Sequence, residues 1–247
     1  KNSSNEIVFL CQNKEWTAND IPSIKLARYQ LGRDPRSDLC HPYLRRYETA
    51  VLHGQAALRE ALRLRQNGFE PDLIIGHSGF GNTLYIKEVW PKAKFIGYFE
   101  WFYRSHGSDV GFGNNQPPSP DTSLRVHTYN SPIVMDLAQC DAAICPTHWQ
   151  ADQFPPAMRR NLSVIFDGVD THNLPFVEQD ARLHQLSLKS GDAQVSIPSD
   201  VPLVTYVTRC FETYRGWPQV AEGLALLMQR NPRAHVLLVG SDEVAYG

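Results

Sequence analysis

The segment between Pro71 and Phe99 constrains the fold most strongly, because two apolar runs of β-favouring residues flank one short helical pattern. The runs are DLIIG (72–76) and FIGYF (95–99), and the stretch GNTLYIKEVW (81–90) between them is predicted to be a helix. Two strands that are joined through a helix pair in parallel, since a parallel pair needs a crossover connection. This βαβ unit therefore predicts an α/β fold with a parallel sheet.

Further elements are predicted on both sides of this unit. Ile7 to Leu10 is typical of a buried strand, and apolar positions at three- and four-residue steps from Leu44 to Gly68 indicate an amphipathic helix. The stretch 104–130 is rich in Gly, Pro, Asn and Ser, and is predicted to be a long loop. The later elements expected here are a helix opened by Ser131 as N-cap with Pro132 at its first position, a strand at 141–146, a helix with the capping box Thr147-x-x-Gln150, and a strand at 162–166.

The composition changes after Asp170. The polar stretch 172–202 contains one glycine and three prolines, and we interpret it as a crossing between domains with a small irregular insertion. A second βαβ unit follows, with strands LVTYVT (203–208) and AHVLLVG (234–240) around a helix. One such unit cannot cover both faces of a parallel sheet, so the second domain is expected to be incomplete. The predicted boundaries are a first domain at 1–171, the crossing at 172–202, and the start of a second domain at 203–247.

Charge and cysteine content argue against several classes of protein. The 247 residues carry a formal net charge of −2, so no overall basic field calls for nucleic acid. The start of the chain, KNSSNEIVFL, lacks the pattern of a signal peptide, and no apolar run approaches the roughly 18 residues of a membrane span. An odd number of scattered cysteines suits reduced thiols better than a disulfide framework. We therefore expect a soluble, cytoplasmic chain. The cysteines are Cys11, Cys40, Cys140, Cys145 and Cys210.

Ligands of parallel α/β sheets bind beyond the carboxyl ends of the strands, so the residues that end strands are the site candidates. The first is GHSGFGN (76–82), whose glycines do not fit the dinucleotide pattern G-x-G-x-x-G. Phe80 stands where the nucleophile elbow G-x-S-x-G needs its last glycine. The turn Gly79-Phe80-Gly81 either exposes backbone N–H groups that hold an anion at a helix N-terminus, or is only a tight turn.

Two titratable residues also follow strands of the first βαβ unit. His77 ends one strand, where it could act as a general acid or base, donate to a sugar hydroxyl, or only bond the backbone. Glu100 follows FIGYF among aromatic residues, which suits either a catalytic or sugar-binding carboxylate or an ion pair with Arg104. No C-x-x-C or H-E-x-x-H pattern occurs, so we expect no metal site.

Two arginines mark the second βαβ unit. Arg209 follows its first strand, and Arg215 with Gly216 precedes its helix, so both guanidinium groups could reach one anion at that helix N-terminus. Guanidinium forks together with a helix dipole match the separated negative phosphoryl groups of a pyrophosphate.

These segments together resemble the GT-B glycosyltransferases of family 4. TRCFETYRG (208–216) is similar to the element of arginine followed by lysine or arginine and glycine that opens the second domain of these enzymes. The first-domain and hinge segments of one branch of the family are similar to three further stretches, which are PDLIIGHSGFGNTLYIKEVWPKAKFIGYFEWFYR (71–104), AICPTHWQADQFP (143–155) and VIFDGVDT (164–171).

The resemblance implies two Rossmann-like domains, with a nucleotide-sugar donor, a UDP- or GDP-sugar, held mainly by the second. It implies an acceptor, a glycan or a lipid-linked molecule, held mainly by the first, with peripheral membrane contact as one option. The implied reaction transfers a sugar from the donor to an acceptor hydroxyl with retention of anomeric configuration, as a hexosyltransferase does. It needs no further cofactor and no metal.

The resemblance also implies roles for individual residues. Arg209, Arg215 and Gly216 would bind the donor diphosphate, and the turn Gly79-Phe80-Gly81 would face the donor sugar and phosphates. Glu100 occupies a strand end where many relatives carry a histidine, and it would orient an acceptor or sugar hydroxyl while His77 supplies a neighbouring hydrogen bond. The hinge residues implied are Asp167, Gly168 and Asp170.

One departure from the family limits the expected affinity for the donor. The family grips the donor sugar and ribose with a spaced pair of glutamates, and no such pair occurs in these 247 residues. We therefore expect this polypeptide to bind a donor weakly, and to be inactive without the pair of glutamates.

Other functions are compatible with the same features. A nucleotide-sugar epimerase or hydrolase of the same fold is one alternative, and a non-catalytic sugar- or nucleotide-binding protein of periplasmic-receptor architecture is another. The second alternative needs an export signal, which the start of the sequence lacks. A nicotinamide dehydrogenase is disfavoured because G-x-G-x-x-G does not follow the first strand.

Overall fold

The computed structural model shows an α/β fold with parallel sheets, as the βαβ unit predicts. The chain divides into a first compact unit that ends at Asp167 and a second that begins at Gly168 and also takes in Phe112. The structure describes residues 5–12, 24–35, 39–108, 110–112, 117–173, 186–190 and 193–243.

The first unit contains a sheet of four parallel strands in the order of the sequence. These strands are β3 (Leu73–His77), β4 (Lys94–Tyr98), β5 (Ala142–Cys145) and β6 (Leu162–Val164). In the register, His77 of β3 lies beside Tyr98 of β4, which lies beside Ile144 of β5. The carboxyl ends of three neighbouring strands are therefore level at one edge. A separate parallel pair consists of β1 (Val8–Cys11) and β2 (Lys25–Arg28).

Six helices accompany these strands among the described residues. They are α1 (Arg45–Gln66), α2 (Ile86–Val89), α3 (Pro120–Tyr129), α4 (Ser131–Gln139), α5 (His148–Ala151) and α6 (Pro156–Arg159). Around Phe99, which follows β4, side chains of α4, β5, β6 and the α5 region form one core cluster. A second cluster forms where Ala61 of α1 meets α2 and Trp90. No helix in the described part of the chain is both long and apolar enough to cross a membrane.

Helix α1 buries a face of small residues. Ala50, Gly54, Ala57 and Ala61 recur at helical spacing on this face, and all four are buried. A Cβ atom added to Gly54 would lie 2.8 Å from the carbonyl oxygen of Gly81, in the turn after β3. The small face therefore lets that turn approach the helix backbone closely.

The second unit contains the predicted βαβ unit and an additional hairpin. β9 (Leu203–Cys210) and β10 (His235–Ser241) pair in parallel around α7 (Trp217–Arg230). β7 (Leu186–Ser190) and β8 (Ala193–Ile197) form an antiparallel pair within the stretch that was predicted to be irregular, so that prediction is wrong for these residues. Apolar and polar residues alternate in LSLKS and AQVSI, which is the pattern of a strand with one buried face.

Three further predictions need correction. The helix predicted at 81–90 is only the four residues of α2, because turns occupy the residues before Ile86. The predicted loop 104–130 contains α3, which begins at the N-cap Ser119 followed by Pro120. The N-cap of α4 is Asn130 rather than Ser131, and the side chain of Asn130 bonds the backbone of Tyr103 instead.

The glycine turn gives a direct test of this packing. A Cβ atom added to Gly81, whose φ is +95°, would lie 2.0 Å from the Ala50 carbonyl oxygen, and one added to Gly68, with φ of +88°, would meet nothing within 4 Å. We expect Gly68→Ala to lower the free energy of unfolding by about 1 kcal/mol through backbone strain alone. Gly81→Ala is expected to cost at least about 2 kcal/mol more, because the backbone must also move. Urea unfolding of both variants measures this, and equal losses would contradict the close approach.

Candidate functional site

The carboxyl ends of β3 and β4 bring two predicted site residues into contact. His77 ends β3, and Glu100 lies two residues beyond the end of β4. His77 Nε2 lies 3.0 Å from Glu100 Oε2, and the imidazole ring centroid is 5.0 Å from that of Tyr98. The side chains of His77 and Glu100 are 38% and 54% exposed, so a ligand could reach both. The described side chains show this pair rather than an ion pair of Glu100 with Arg104.

The hydrogen bonds of His77 constrain where its protons lie. Nδ1 is 3.1 Å from the carbonyl oxygen of Ser78, which only accepts hydrogen bonds, so this contact needs a proton on Nδ1. The Glu100 carboxylate also only accepts, so the contact at Nε2 needs a second proton, on the ring or on the carboxyl group. The pair thus places an imidazole in hydrogen-bonding contact with a carboxyl group, an arrangement that suits a general acid or base.

The turn after β3 places an aromatic ring beside this pair. Gly79 and Gly81 have φ values of +99° and +95°, which other residues rarely adopt. Between them Phe80 is 52% exposed, and its ring centroid lies 5.1 Å from that of His77. Because the next helix starts only at Ile86, the glycines do not lie at a helix N-terminus, and this part of the prediction is wrong.

A buried carboxylate forms hydrogen bonds with residues of the turn after β3. Asp136 of α4 is fully buried, and it accepts hydrogen bonds from Ser78 Oγ at 2.8 Å and Thr83 Oγ1 at 2.7 Å. Gln139 Nε2 at 3.0 Å and the backbone N–H of Gly79 also donate to it. Burial raises the pKa of Asp136 above its ordinary value, and these hydrogen bonds partly offset that rise.

The predicted hinge residues have separate partners. Tyr98 Oη donates to the Asp167 carboxylate, with distances of 3.0 and 3.1 Å to its two oxygens. Gly168 has φ of +80°, which a glycine adopts without strain. Asp170 accepts from the backbone N–H groups of Asn173 and His172, and these hydrogen bonds lower its pKa. The two compact units join in sequence between Asp167 and Gly168.

In the second unit, a buried glutamate orients one of the predicted arginines. Glu212 is 6% exposed, and its Oε2 lies 3.1 Å from Nε of Arg215. The backbone carbonyl of Arg215 accepts a hydrogen bond from Tyr206 Oη at 3.1 Å. Both the side chain and the backbone of Arg215 are therefore held in place, while its side chain stays 36% exposed.

Arg209 lies near the same group of side chains. The charges of Arg215 and Arg209 lower the pKa of the Tyr214 phenol, and the guanidinium carbon of Arg215 lies 5.7 Å from the centroid of the Tyr214 ring. Burial and a hydrogen bond to Glu212 outweigh the arginines and raise the Tyr214 pKa to about 12. Arg215 therefore lies beside the Tyr214 ring, and the charge of Arg209 acts on the same phenol.

The start of α7 is fixed by glycine conformation and aromatic packing. Gly216 has φ of +77° and is the N-cap of this 14-residue helix. Trp217, the first residue of the helix, lies 4.6 Å from Phe211 and 5.5 Å from Tyr206 between ring centroids. Arg215 therefore sits directly before a rigid helix N-terminus, where the helix dipole favours negative charge.

Sequence reasoning missed the residues that hold both groups in place. Asp136 is a buried carboxylate that neither follows a strand nor belongs to a recognised motif. Glu212 is also buried, and it lies inside TRCFETYRG (208–216), where only the arginines and the glycine were singled out. Polar residues inside an apolar helical pattern, such as Asp136 in SPIVMDLAQ, are the signal that could have marked one of them. In the described part of the chain, no group of three His, Cys, Asp or Glu side chains could hold a metal ion.

The raised pKa of Asp136 gives a pH-dependent prediction. Because the folded state binds the Asp136 proton more tightly than the unfolded state, stability falls as pH rises between the ordinary and the raised pKa. Relative to Asp136→Asn, which cannot titrate, the wild type is expected to gain stability as pH falls through this window. Urea unfolding at a series of pH values measures the difference, with Asp72→Asn as the control for loss of a surface carboxylate. If the stability of the wild type relative to Asp136→Asn stayed constant or increased as pH rises, the prediction would be contradicted.

The Tyr98 phenol tests the contact at the hinge. The pKa of Tyr98 is raised to about 12, by burial first and then by the hydrogen bond and the charge of Asp167. Asp167→Ala is therefore expected to lower the Tyr98 pKa. Phenolate absorbance, corrected by the same titrations in the Tyr98→Phe background, measures it, and an unchanged pKa would show that the carboxylate does not bond this phenol.

Comparison with known proteins identifies the family. No curated protein matches the sequence significantly. Among solved structures, the chain is similar to the catalytic domain of starch synthase IV from Arabidopsis thaliana bound to ADP and acarbose, with 17% identity and a TM-score of 0.45. The match covers 83% of this chain and 48% of the other, so the chain spans about half the length of that protein. The family profile described as glycosyl transferase family 4 group matches residues 3–174, and the chain therefore belongs to this family.

Proposed function

We propose that this chain forms part of a retaining glycosyltransferase, which moves a sugar from a nucleotide-diphosphate sugar to an acceptor hydroxyl. The donor is a UDP- or GDP-sugar, and the acceptor is a glycan or a lipid-linked molecule. Family membership supports a transferase, and the arrangement of Arg209 and Arg215 around Tyr214 supports donor binding in the second unit.

The observation that carries the proposal is the held position of Arg215 directly before the N-terminus of α7. Arg215 is held by the buried Glu212 and precedes a helix N-terminus, and Arg209 lies near the same phenol. A diphosphate carries two adjacent negative groups, which two guanidinium groups and a helix dipole complement. Because Glu212 already orients Arg215, less side-chain entropy is lost when the diphosphate binds.

The same arrangement suits the charge that develops during transfer. As the bond between the anomeric carbon and the diphosphate oxygen breaks, the electron pair leaves with the diphosphate, which gains negative charge. Positive groups fixed before the reaction stabilise that charge without having to reorganise. The acceptor oxygen then bonds the anomeric carbon, and its proton passes to the departing diphosphate oxygen.

In the first unit, we assign the acceptor side to the ends of β3 and β4. The His77–Glu100 pair can accept or donate one proton, and its partial exposure leaves room for a hydroxyl group. Gly79, Phe80 and Gly81 shape the adjacent surface, and Asp136 holds their turn in place. The five free thiols favour a reducing, cytoplasmic compartment for the proposed activity.

The arginine pair is tested by donor binding. Saturation-transfer NMR with UDP-glucose and GDP-mannose detects weak binding to the chain, and we expect a signal from the preferred donor. Replacing both Arg209 and Arg215 by alanine is expected to weaken binding at least tenfold, since each hydrogen bond to a charged group contributes about 1.5–3 kcal/mol.

Arg233→Ala is the matched control for loss of an arginine in the same unit. Arg233 is exposed and pairs with Asp200, and it lies outside the segment 209–216 that is proposed to bind the diphosphate. Donor binding should therefore not change. Donor binding that is unchanged by the double substitution would contradict the proposed binding of the diphosphate by Arg209 and Arg215. Release of free sugar without an acceptor would favour the hydrolase alternative.

A further inference from the structure

We propose that Trp149 and Trp101 form a stacking surface for a pyranose ring of the acceptor, which makes the acceptor a carbohydrate. The inference rests on the proposed function, because it assigns the substrate class of the acceptor side. It concerns only the first unit and needs no contribution from the second.

The two indole rings lie together at the edge of the sheet that carries the candidate site. Trp101 follows Glu100 directly, just beyond β4, and Trp149 lies in α5, which begins three residues after β5 ends. β4 and β5 are neighbours in the sheet, so their carboxyl ends open on the same edge. The ring centroids are 5.2 Å apart, and the planes are inclined by 43°.

Trp149 is exposed although its backbone is firmly anchored. Its side chain is 56% exposed, whereas Ala151 and Phe154, which follow it, are 0% and 3% exposed. The Thr147 hydroxyl accepts a hydrogen bond from the Gln150 N–H at 3.1 Å, and the Trp149 carbonyl accepts one from Gln153 Nε2 at 2.8 Å. A ligand that covers this indole removes its apolar surface from water, which is favourable. An exposed indole on an anchored backbone therefore suits a binding surface.

The polar groups nearby complement the hydroxyl groups of a sugar. Glu100 precedes Trp101, and its exposed carboxylate can accept hydrogen bonds from hydroxyl donors. The indole N–H of Trp101 is buried and finds no hydrogen-bond partner among the described residues, so this donor lacks an acceptor oxygen. An aromatic face with a few polar groups at its border is the chemistry that binds a pyranose, whose ring presents C–H groups on its face and hydroxyls at its rim.

A cavity lies beside the segment that follows Trp101 in the sequence. It has a volume of about 280 Å³ and is lined by the segment Phe102 to His106, which follows Trp101, and by residues of α3. Its lining is largely polar and includes Ser105 and His127.

The surroundings of Trp149 do not suit a membrane anchor. An exposed tryptophan that binds anionic lipid is usually accompanied by several lysines or arginines. Here the neighbouring charged residue on the same segment is Asp152, which already pairs with Arg159. The carbohydrate assignment therefore fits the charges better than a lipid surface does.

The test uses saturation-transfer NMR of the chain with the methyl α-glycosides of glucose, mannose and galactose, and with cellobiose, in the absence of any donor. We expect at least one probe to receive saturation most strongly at the C–H protons of one ring face. Trp149→Ala is expected to weaken its binding about tenfold, the loss expected for an aromatic contact and its buried area, and Trp149→Phe to restore most of it.

Leu124→Ala on α3 is the matched control, since Leu124 is 60% exposed and apolar, and binding should not change. Thermal unfolding of each variant shows whether it folds. No binding of any probe to the wild type, or unchanged binding to Trp149→Ala, would overturn the proposal. A tryptophan fluorescence shift that phosphatidylglycerol vesicles cause in the wild type but not in Trp149→Ala, and that no glycoside causes, would assign the surface to lipid instead. Because no donor is present, these outcomes are independent of the arginine test.

Discussion

The buried carboxylate of Asp136 is the interaction on which the first unit depends. A fully buried charge is unfavourable unless hydrogen bonds satisfy it, so the chain must keep Ser78, Thr83 and Gln139 within bonding distance. These bonds tie the turn after β3 to α4, which lies more than fifty residues later. Once the turn is tied down, Phe80 and His77 occupy defined positions at the sheet edge.

The second unit uses the same device. Glu212 is a buried carboxylate that holds the surface residues Arg215 and Tyr214. In each unit, then, a buried acidic group below the surface limits the freedom of the exposed groups above it. Preorganised polar groups bind and stabilise charge more effectively than mobile ones, because their ordering entropy has already been lost in folding.

The sequence predicted the parts of the fold that depend on local patterns. The βαβ units around 71–99 and 203–240 and the long helix α1 are confirmed, because hydrophobic periodicity is a local property. The sequence did not predict α3, because its start at Ser119-Pro120 lies within a Gly- and Pro-rich stretch. The predicted length of α2 was too great, because the residues before Ile86 form a turn that is hydrogen-bonded to Asp136. The contact of His77 with Glu100 follows from parallel strand ends, whereas Asp136 bonds Ser78 and Thr83 across more than fifty residues, which no local pattern reveals. Glu212 bonds Arg215 only three residues away, but its burial depends on the fold.

The central claim of this account is that the arginine pair before α7 binds the diphosphate of a nucleotide sugar. A crystal structure of the chain soaked with UDP or GDP tests it most directly. The account predicts diphosphate oxygens within hydrogen-bonding distance of the guanidinium groups of both Arg209 and Arg215, next to the N-terminus of α7, with Glu212 still bonded to Arg215. A diphosphate bound elsewhere, or arginines that point away from it, would contradict the claim.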